Sequence, residues 1–117
     1  MLVLALDASG INPALARDNL LVHNMLTAAM SKLGAQITKY SHYTRERSGL
    51  FEVFADDENI IITYRAQRNG DIYVMITDYD GNDCKPALDC IVDNLRPTVH
   101  NCKILLKKGI DDLTQAG

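Results

Sequence analysis

Several features that mark other protein classes are missing from this sequence of 117 residues. It has no tryptophan and only three cysteines, Cys84, Cys90 and Cys102, an odd number whose spacings match no zinc or redox motif. A secreted module held together by disulfides is therefore not expected. Apolar stretches are also short, and none approaches the roughly 20 residues that a membrane-spanning helix needs.

Basic residues are in the minority as well. Twelve lysines and arginines against fifteen aspartates and glutamates give a net charge of -3, and the two signs are scattered along the chain. A protein that follows a phosphate backbone usually carries clustered basic residues, so nucleic acid is not an expected partner.

The composition that remains, 47% hydrophobic and 23% charged, is that of an ordinary globular protein. The length suits one domain, residues 1–117, with a single core between two layers. Residues 1–10 carry an early aspartate and no preceding positive charge, which differs from a signal peptide. We therefore expect a cytoplasmic protein that does not bind membranes.

The first third of the chain predicts a strand followed by a long helix. The apolar run Leu2–Leu6 is short and ends in turn residues, which indicates a buried strand. Asn12 and Pro13 are typical of a helix start, and Gly34 is typical of the position just after a helix. We therefore predict one helix between these residues.

The middle of the chain, from Ala35 to Tyr79, has a hydrophobic period of two, which indicates an antiparallel meander. The predicted strands lie near Gln36–Tyr43, Leu50–Ala55, Asn59–Ala66 and Asp71–Asp78. A second helix follows, with Asp83 as its cap and Pro97 at its end, and the last predicted strand is Val99–Leu106.

The order of these elements predicts an α+β fold, a two-layer sandwich with one mainly antiparallel sheet and two helices on one of its faces. The other face is expected to carry Tyr40, Phe51, Val53 and Tyr64. An apolar sheet face needs a cover, and a second copy of the chain would supply one. A homodimer is therefore expected.

Several local strings, in this order and spacing, resemble the short bacterial and archaeal type of S-adenosylmethionine decarboxylase, the pyruvoyl enzyme of spermidine synthesis. Leu6–Gly10 is similar to the family's Leu-Asp-x-x-Gly after the first strand, and Ser48–Gly49 resembles its Ser/Thr-Gly before a strand. Asp83, Ala87–Leu88 and Leu95–Pro97 resemble a family helix that starts at Asp-Pro and ends in Leu-Lys-Pro. The resemblance spans nearly the whole chain.

The family's chemistry lies in a segment reading roughly ESHISIHTWPE, whose serine becomes the pyruvoyl group after self-cleavage; here residues 58–68 read ENIIITYRAQR. In this alignment Glu58 keeps the family's glutamate, while Asn59 replaces the serine. Tyr64 falls on the processing histidine and Tyr79 on the catalytic cysteine. Because asparagine has no hydroxyl, the pyruvoyl cofactor expected of the family is not formable at Asn59, and no other cofactor is expected.

The resemblance implies a pocket at one edge of the sheet for S-adenosylmethionine or a polyamine-like cation. Carboxylates there would offset the positive charge, and tyrosine rings would offer cation–π contacts and stacking. The residues expected to bind the substrate or take part in its chemistry are Asp7, Glu58, Asn59, Tyr64, Asp78 and Tyr79.

Without the resemblance, the same residues have ordinary structural interpretations. Glu58 and Asp78 would lie in solvated turns, and both tyrosines would pack between layers. Asp78-x-Asp80-x-Asn82 imitates half of a calcium loop, but its glycine is misplaced, so a solvated acidic turn is expected.

Histidines and cysteines give no sign of a metal site or a nucleophile. His23, His42 and His100 lie on different predicted elements, without a second ligand at metal-binding spacing, so no metal is expected. Cys84 and Cys90 have no histidine near them in sequence and are expected to be buried structural thiols.

The functional expectation is a diverged relative of the decarboxylase that binds S-adenosylmethionine or a related cationic metabolite without pyruvoyl chemistry. A lyase or hydrolase acting on the sulfonium would need a held conformation and a general base, for which Glu58 or Asp78 would serve. The alternative is a non-catalytic homologue that dimerises with an active decarboxylase and regulates it.

Overall fold

The computed structural model describes residues 1–45, 49–55 and 59–108, and within 43–45, 49 and 51–55 it describes the backbone. The described elements are β1 (Leu2–Ser9), α1 (Pro13–Ala16), α2 (Asn19–Lys32), β2 (Lys39–Arg45), β3 (Gly49–Ala55), β4 (Ile60–Ala66), β5 (Ile72–Asp78), α3 (Lys85–Leu95) and β6 (Val99–Lys107). Among these residues, no helix is long and apolar enough to cross a membrane.

The strands form one six-stranded sheet in the order β2-β3-β4-β5-β1-β6, and the neighbouring strands pair antiparallel. The first strand of the chain therefore enters the sheet between β5 and β6. Helices α2 and α3 pack against each other and against one face of the sheet. This arrangement confirms the predicted α+β sandwich with one antiparallel sheet.

The core lies between the helices and the sheet because apolar residues alternate along the central strands. In β5, for example, Ile72, Val74 and Ile76 are buried, while the residues between them are only partly buried. The helices contribute the stripe at three-and-four spacing that the sequence predicted. Its buried members are Val22, Met25, Leu26, Ala29 and Met30 of α2, and Ala87, Leu88, Ile91 and Leu95 of α3.

The single helix predicted between Asn12 and Gly34 is wrong, because the chain forms two helices there. Asn12 does cap α1, and its Oδ1 accepts a hydrogen bond from the backbone N–H of Ala14. Asp18 then caps α2 through a hydrogen bond from the N–H of Leu21 to its Oδ1. Asp18 is a second capping residue inside the apolar pattern, and a new helix begins after it. The hydrophobic periodicity alone does not show this break.

Tyr64 and Tyr40 lie on the face that the helices cover, which corrects their predicted place on the opposite face. The hydroxyl of Tyr64 donates to the carbonyl oxygen of Ala16 in α1 at 2.7 Å, and its side chain is fully buried. The Tyr40 ring lies edge-on to His23 of α2, with centroids 4.8 Å apart. The alternation of residues along a strand shows which side chains share a face, but it does not show which face the helices cover. The side chains of Phe51 and Val53 fall outside the described ones.

Replacing Tyr64 with phenylalanine tests its role as a core residue. The change leaves the carbonyl at the end of α1 without its donor, so we expect the free energy of unfolding to fall by about 1–2 kcal/mol. Urea unfolding of Tyr64→Phe measures this loss. Tyr79→Phe is the matched control because the Tyr79 side chain is 53% exposed. Equal stability of the two variants would contradict the assignment.

Candidate functional site

A cavity of about 300 Å³ lies at the end of the sheet where β4 begins and β5 ends. The C-terminal end of α2 and the N-terminal end of α3 complete its walls. Its lining residues are Lys32, Leu33, Gly34, Ala35, Asn59, Ile60, Asp78, Asp80, Asn82, Asp83 and Pro86. We call this the acidic cavity. Its volume is at the lower end of the range that is usual for small-molecule sites.

Asp78, the last residue of β5, provides the buried charge of this cavity. It is directly opposite Leu2 of β1 and Ile60 of β4, and it is 2% exposed. Its Oδ1 accepts a hydrogen bond from the backbone N–H of Asp80 at 2.8 Å, and its Oδ2 lies 3.8 Å from the Cys84 thiol, which donates to it. These two donors compensate part of the cost of removing the carboxylate from water.

The turn after β5 brings further acidic and amide groups to the same cavity. The N–H of Gly81 donates to the carbonyl oxygen of Asp78 at 3.2 Å, and Gly81 has a φ of +79°, which favours glycine. The backbone thereby reverses direction and carries Asp80, Asn82 and Asp83 past the cavity. Asp83 accepts a hydrogen bond from the N–H of Lys85 through its Oδ1 and so holds the start of α3.

The charges around the acidic cavity favour a cation. Asp78, Asp80 and Asp83 line it, and Lys32 in the last turn of α2 is the lysine among the lining residues. Three carboxylates against one ammonium group leave a net negative potential at the cavity. Asp80, Asp83 and Lys32 are exposed and screened by solvent, whereas the charge of the buried Asp78 is screened less.

Cys84 acts in this site as a hydrogen-bond donor. The pKa of its thiol is raised from 9.0 to about 12, first by burial and then by the negative charge of Asp78 and the hydrogen bond to it. At neutral pH the thiol therefore keeps its proton and is a poor nucleophile. The sequence prediction of a buried structural thiol is confirmed for Cys84, whereas Cys90 is only partly buried.

The structure brings together only some of the predicted site residues. Asn59 and Asp78 line the acidic cavity, and the backbone carbonyl of Asn59 accepts a hydrogen bond from the N–H of Tyr79 at 2.8 Å. Tyr79 therefore adjoins the cavity, but its exposed side chain is not part of the lining. Glu58 lies outside the described residues.

Tyr64 does not surround the pocket, contrary to the prediction. Its ring is fully buried between the layers, and its hydroxyl is already bonded to α1, well along β4 from Asn59. A strand residue five positions from a site lies roughly 17 Å away at about 3.4 Å per residue. Tyr64 is therefore a packing residue, in agreement with the ordinary interpretation of its position.

Asp7 lies at the opposite end of the sheet from Asp78. In the β1–β5 pairing, Asp78 is opposite Leu2 whereas Asp7 is opposite Tyr73, so about five residues separate the two carboxylates along β1, or roughly 17 Å. Asp7 lines a second cavity of about 280 Å³ together with Asp71, Tyr73 and other residues at that end. The predicted substrate-binding residues therefore do not form a single site.

The residues that the sequence missed lie mainly in the turn from Asp80 to Asp83 and at the end of α2. The alternation Asp78-x-Asp80-x-Asn82 is a visible signal. The structure confirms an exposed turn at Asp80 and Asn82 but buries Asp78, which corrects the expectation that Asp78 is solvated. Nothing in the sequence could place Gly34 and Ala35 beside this turn, because that contact depends on how α2 crosses the sheet.

Comparison with known proteins identifies the fold. No protein-family model matches the chain, and no curated protein matches its sequence. The structure is similar to the crystal structure of the adenosylmethionine decarboxylase from Aquifex aeolicus VF5, with a TM-score of 0.76 and 19% sequence identity. The likeness covers 93% of this chain and 90% of that one. The fold is therefore that of an adenosylmethionine decarboxylase, as the sequence resemblance implied.

The contact between Asp78 and Cys84 can be tested by titration. In Asp78→Asn we expect the pKa of Cys84 to fall from about 12, because a negative charge and a charged acceptor are lost, and to stay above 9.0, because burial remains the largest cause of the shift. Thiolate absorbance against pH measures this in a Cys90→Ser, Cys102→Ser background. Asp80→Asn is the matched control, since Asp80 is not among the causes of the shift. An unchanged titration in folded Asp78→Asn would contradict the contact.

Proposed function

We propose that this protein binds S-adenosylmethionine or a closely related cationic metabolite in the acidic cavity, without a pyruvoyl group. The observation that supports this most is the placement of a buried, hydrogen-bonded carboxylate, Asp78, in an acid-lined cavity at the end of a decarboxylase-like sheet. A solved structure with this fold is an adenosylmethionine decarboxylase.

The charge of the ligand follows from the charge of the cavity. A sulfonium or ammonium centre beside Asp78 would form an ion pair in which the carboxylate is already ordered by two hydrogen bonds. Little side-chain entropy is then lost on binding, and the pair is screened less than an exposed one. An anionic metabolite would instead meet three carboxylates.

The side chain at position 59 does not fit a pyruvoyl precursor. A pyruvoyl group forms from a residue whose hydroxyl attacks the preceding carbonyl, and Asn59 presents an amide in its place. The residue aligned with the family's processing histidine, Tyr64, is packed in the core with its hydroxyl already bonded. The proposal therefore includes no decarboxylation through a pyruvoyl group.

A reaction on the sulfonium remains compatible with these groups. A lyase or hydrolase would need a carboxylate close to the ligand to accept a proton, and Asp78 is the buried carboxylate of the described cavity. The carboxylate would also hold the cation in a fixed orientation. Fixing the orientation of the reacting groups supplies a large part of the rate enhancement in such reactions.

The cellular location and the oligomeric state of the protein are part of the same proposal. Cys84, Cys90 and Cys102 are free thiols, which supports the cytoplasm, where cysteines stay reduced. Two copies of the chain would form a homodimer through the sheet face that the helices leave open, as the sequence led us to expect.

Calorimetry with S-adenosylmethionine tests the proposed ligand. We expect micromolar binding to the native chain and about tenfold weaker binding to Asp78→Asn, since one close charge pair contributes at least about 1.4 kcal/mol. S-adenosylhomocysteine, which lacks the positive sulfur, should bind more weakly than S-adenosylmethionine for the same reason.

Asp93→Asn is the matched control, because Asp93 is an exposed residue of α3 outside the lining of the acidic cavity. Equal affinities for the Asp78 and Asp93 variants would contradict binding in this cavity. Absence of binding by the chain alone, together with copurification of an active decarboxylase, would favour the alternative of a non-catalytic regulatory homologue.

Denaturing mass spectrometry tests the chemistry at position 59. We expect one intact chain of 13.0 kDa, because Asn59 lacks the hydroxyl that self-cleavage requires. Storage at the temperature and pH of the binding assay should leave this mass unchanged. Two fragments that separate between Glu58 and Asn59 would show that the chain processes itself and would contradict the proposal.

A further inference from the structure

The charged residues of the acidic cavity are divided between its walls. Its three described carboxylates all come from one stretch of chain, the end of β5 and the turn that leads into α3. The end of α2 and the start of β4 contribute no carboxylate among the described lining residues, and they place Lys32 and Asn59 in the lining instead. The cavity therefore has one acidic wall and another that carries a cation and an amide.

The turn at the end of α2 fixes the backbone of Lys32 in its wall. Lys32 is the last residue of that helix. The carbonyl oxygen of Met30 accepts hydrogen bonds from the N–H of Leu33 at 3.0 Å and from the N–H of Ala35 at 3.1 Å. Gly34 lies between them with a φ of +69°, which glycine adopts without strain. These local bonds hold the lysine at the cavity whether or not the cavity is charged.

Lys32 forms no ion pair within the described part of the chain, although carboxylates line the same cavity. The described salt bridge joins Lys85 and Asp89 of α3 at 3.8 Å, and neither residue lines the cavity. The ammonium group of Lys32 is thus available to a ligand. In a site that takes cations of every kind, such a lysine would only weaken binding, because like charges repel.

We propose that Lys32 binds a carboxylate of the ligand, so that the acidic cavity selects cations that also carry a carboxylate. This inference rests on the proposed function and names its substrate class, an α-amino acid with a sulfonium in its side chain. S-adenosylmethionine belongs to this class. A polyamine does not, and neither does the decarboxylated form of S-adenosylmethionine, which keeps the sulfonium and the amine.

The charges of such a ligand match those of the two walls. S-adenosylmethionine carries a sulfonium, an ammonium group and a carboxylate at neutral pH. The acidic wall offers carboxylates to the first two groups, and Lys32 offers its ammonium group to the third. Because the cavity measures about 300 Å³, one small molecule can contact both walls. A ligand without the carboxylate would meet the repulsion of Lys32 with no contact to compensate it.

An ion pair with Lys32 would also keep the carboxylate on the ligand. When a carboxylate leaves as carbon dioxide, its negative charge passes to the carbon atom that remains, and the contact with the lysine is lost. The pair therefore stabilises the bound ligand more than the transition state of decarboxylation. This agrees with a proposed function that includes no decarboxylation through a pyruvoyl group.

Calorimetry with two ligands that differ in the carboxylate tests this inference. S-adenosylmethionine should bind the native chain about fivefold more tightly than its decarboxylated form, which is the upper range for a solvent-exposed pair of charges. In Lys32→Gln this preference should disappear, because one ligand loses its partner and the other loses a repulsive neighbour. Lys32→Arg keeps the positive charge and should keep the preference.

Lys85→Gln is the matched control. It removes one positive charge from an exposed residue that lies outside the lining, so the preference should equal that of the native chain. Asp78→Asn separates the two roles of the cavity. It should weaken the binding of both ligands by a similar factor, because both carry the sulfonium, and should leave the preference between them unchanged.

The possible failures can be told apart. If neither ligand binds the native chain, the proposed function and this inference are both wrong. If both ligands bind it equally, or if Lys32→Gln with a native circular dichroism spectrum keeps the preference, this inference alone is wrong. An equal loss of preference in Lys85→Gln would also overturn it, since net charge would then account for the effect. Lys32→Ala replaces Lys32→Gln in the same measurement if the latter does not fold.

Discussion

On the described strands β4 and β5, one face of the sheet is buried and almost wholly apolar while the other mixes polar and apolar residues, and the rest of the structure depends on that asymmetry. Ile62, Tyr64 and Ala66 of β4 and the alternating residues of β5 point toward the helices and bury against them. Burial of this kind is the main favourable term in folding, and it sets the position of both long helices. The opposite face keeps polar and apolar groups together because no core of the same chain has to form there.

The same asymmetry explains why a carboxylate is buried at the edge of the core. Asp78 continues the buried alternation of β5, so its side chain points toward the helices although it is charged. An ion in that position would be costly without compensating donors. The turn after β5 supplies one from the backbone of Asp80, and the first residue before α3 supplies another from the Cys84 thiol. The acidic cavity is thus a charged site at the edge of an otherwise apolar layer.

Two positions that the sequence resemblance singled out have structural roles in this fold. Tyr64 stands where the resemblance expects a processing histidine, and here it links β4 to the end of α1 by packing and one hydrogen bond. Asn59 keeps its place beside the end of β5 through its backbone carbonyl, a contact that any residue could make. Both positions therefore contribute to the fold through these contacts.

Local patterns were enough to predict the fold class and the approximate elements, because hydrophobic period, capping residues and turn residues act over short stretches of chain. The sequence also pointed to Asn59 and Asp78, which do line one cavity. It did not reveal the break before α2, since Asp18 is a cap only once the chain has turned there. Tertiary structure alone decided which face of β4 the helices cover, that Asp7 and Asp78 lie at opposite ends of the sheet, and that the end of α2 meets the turn after β5. These outcomes depend on strand order and helix crossing, which are contacts between distant residues that a local pattern cannot encode.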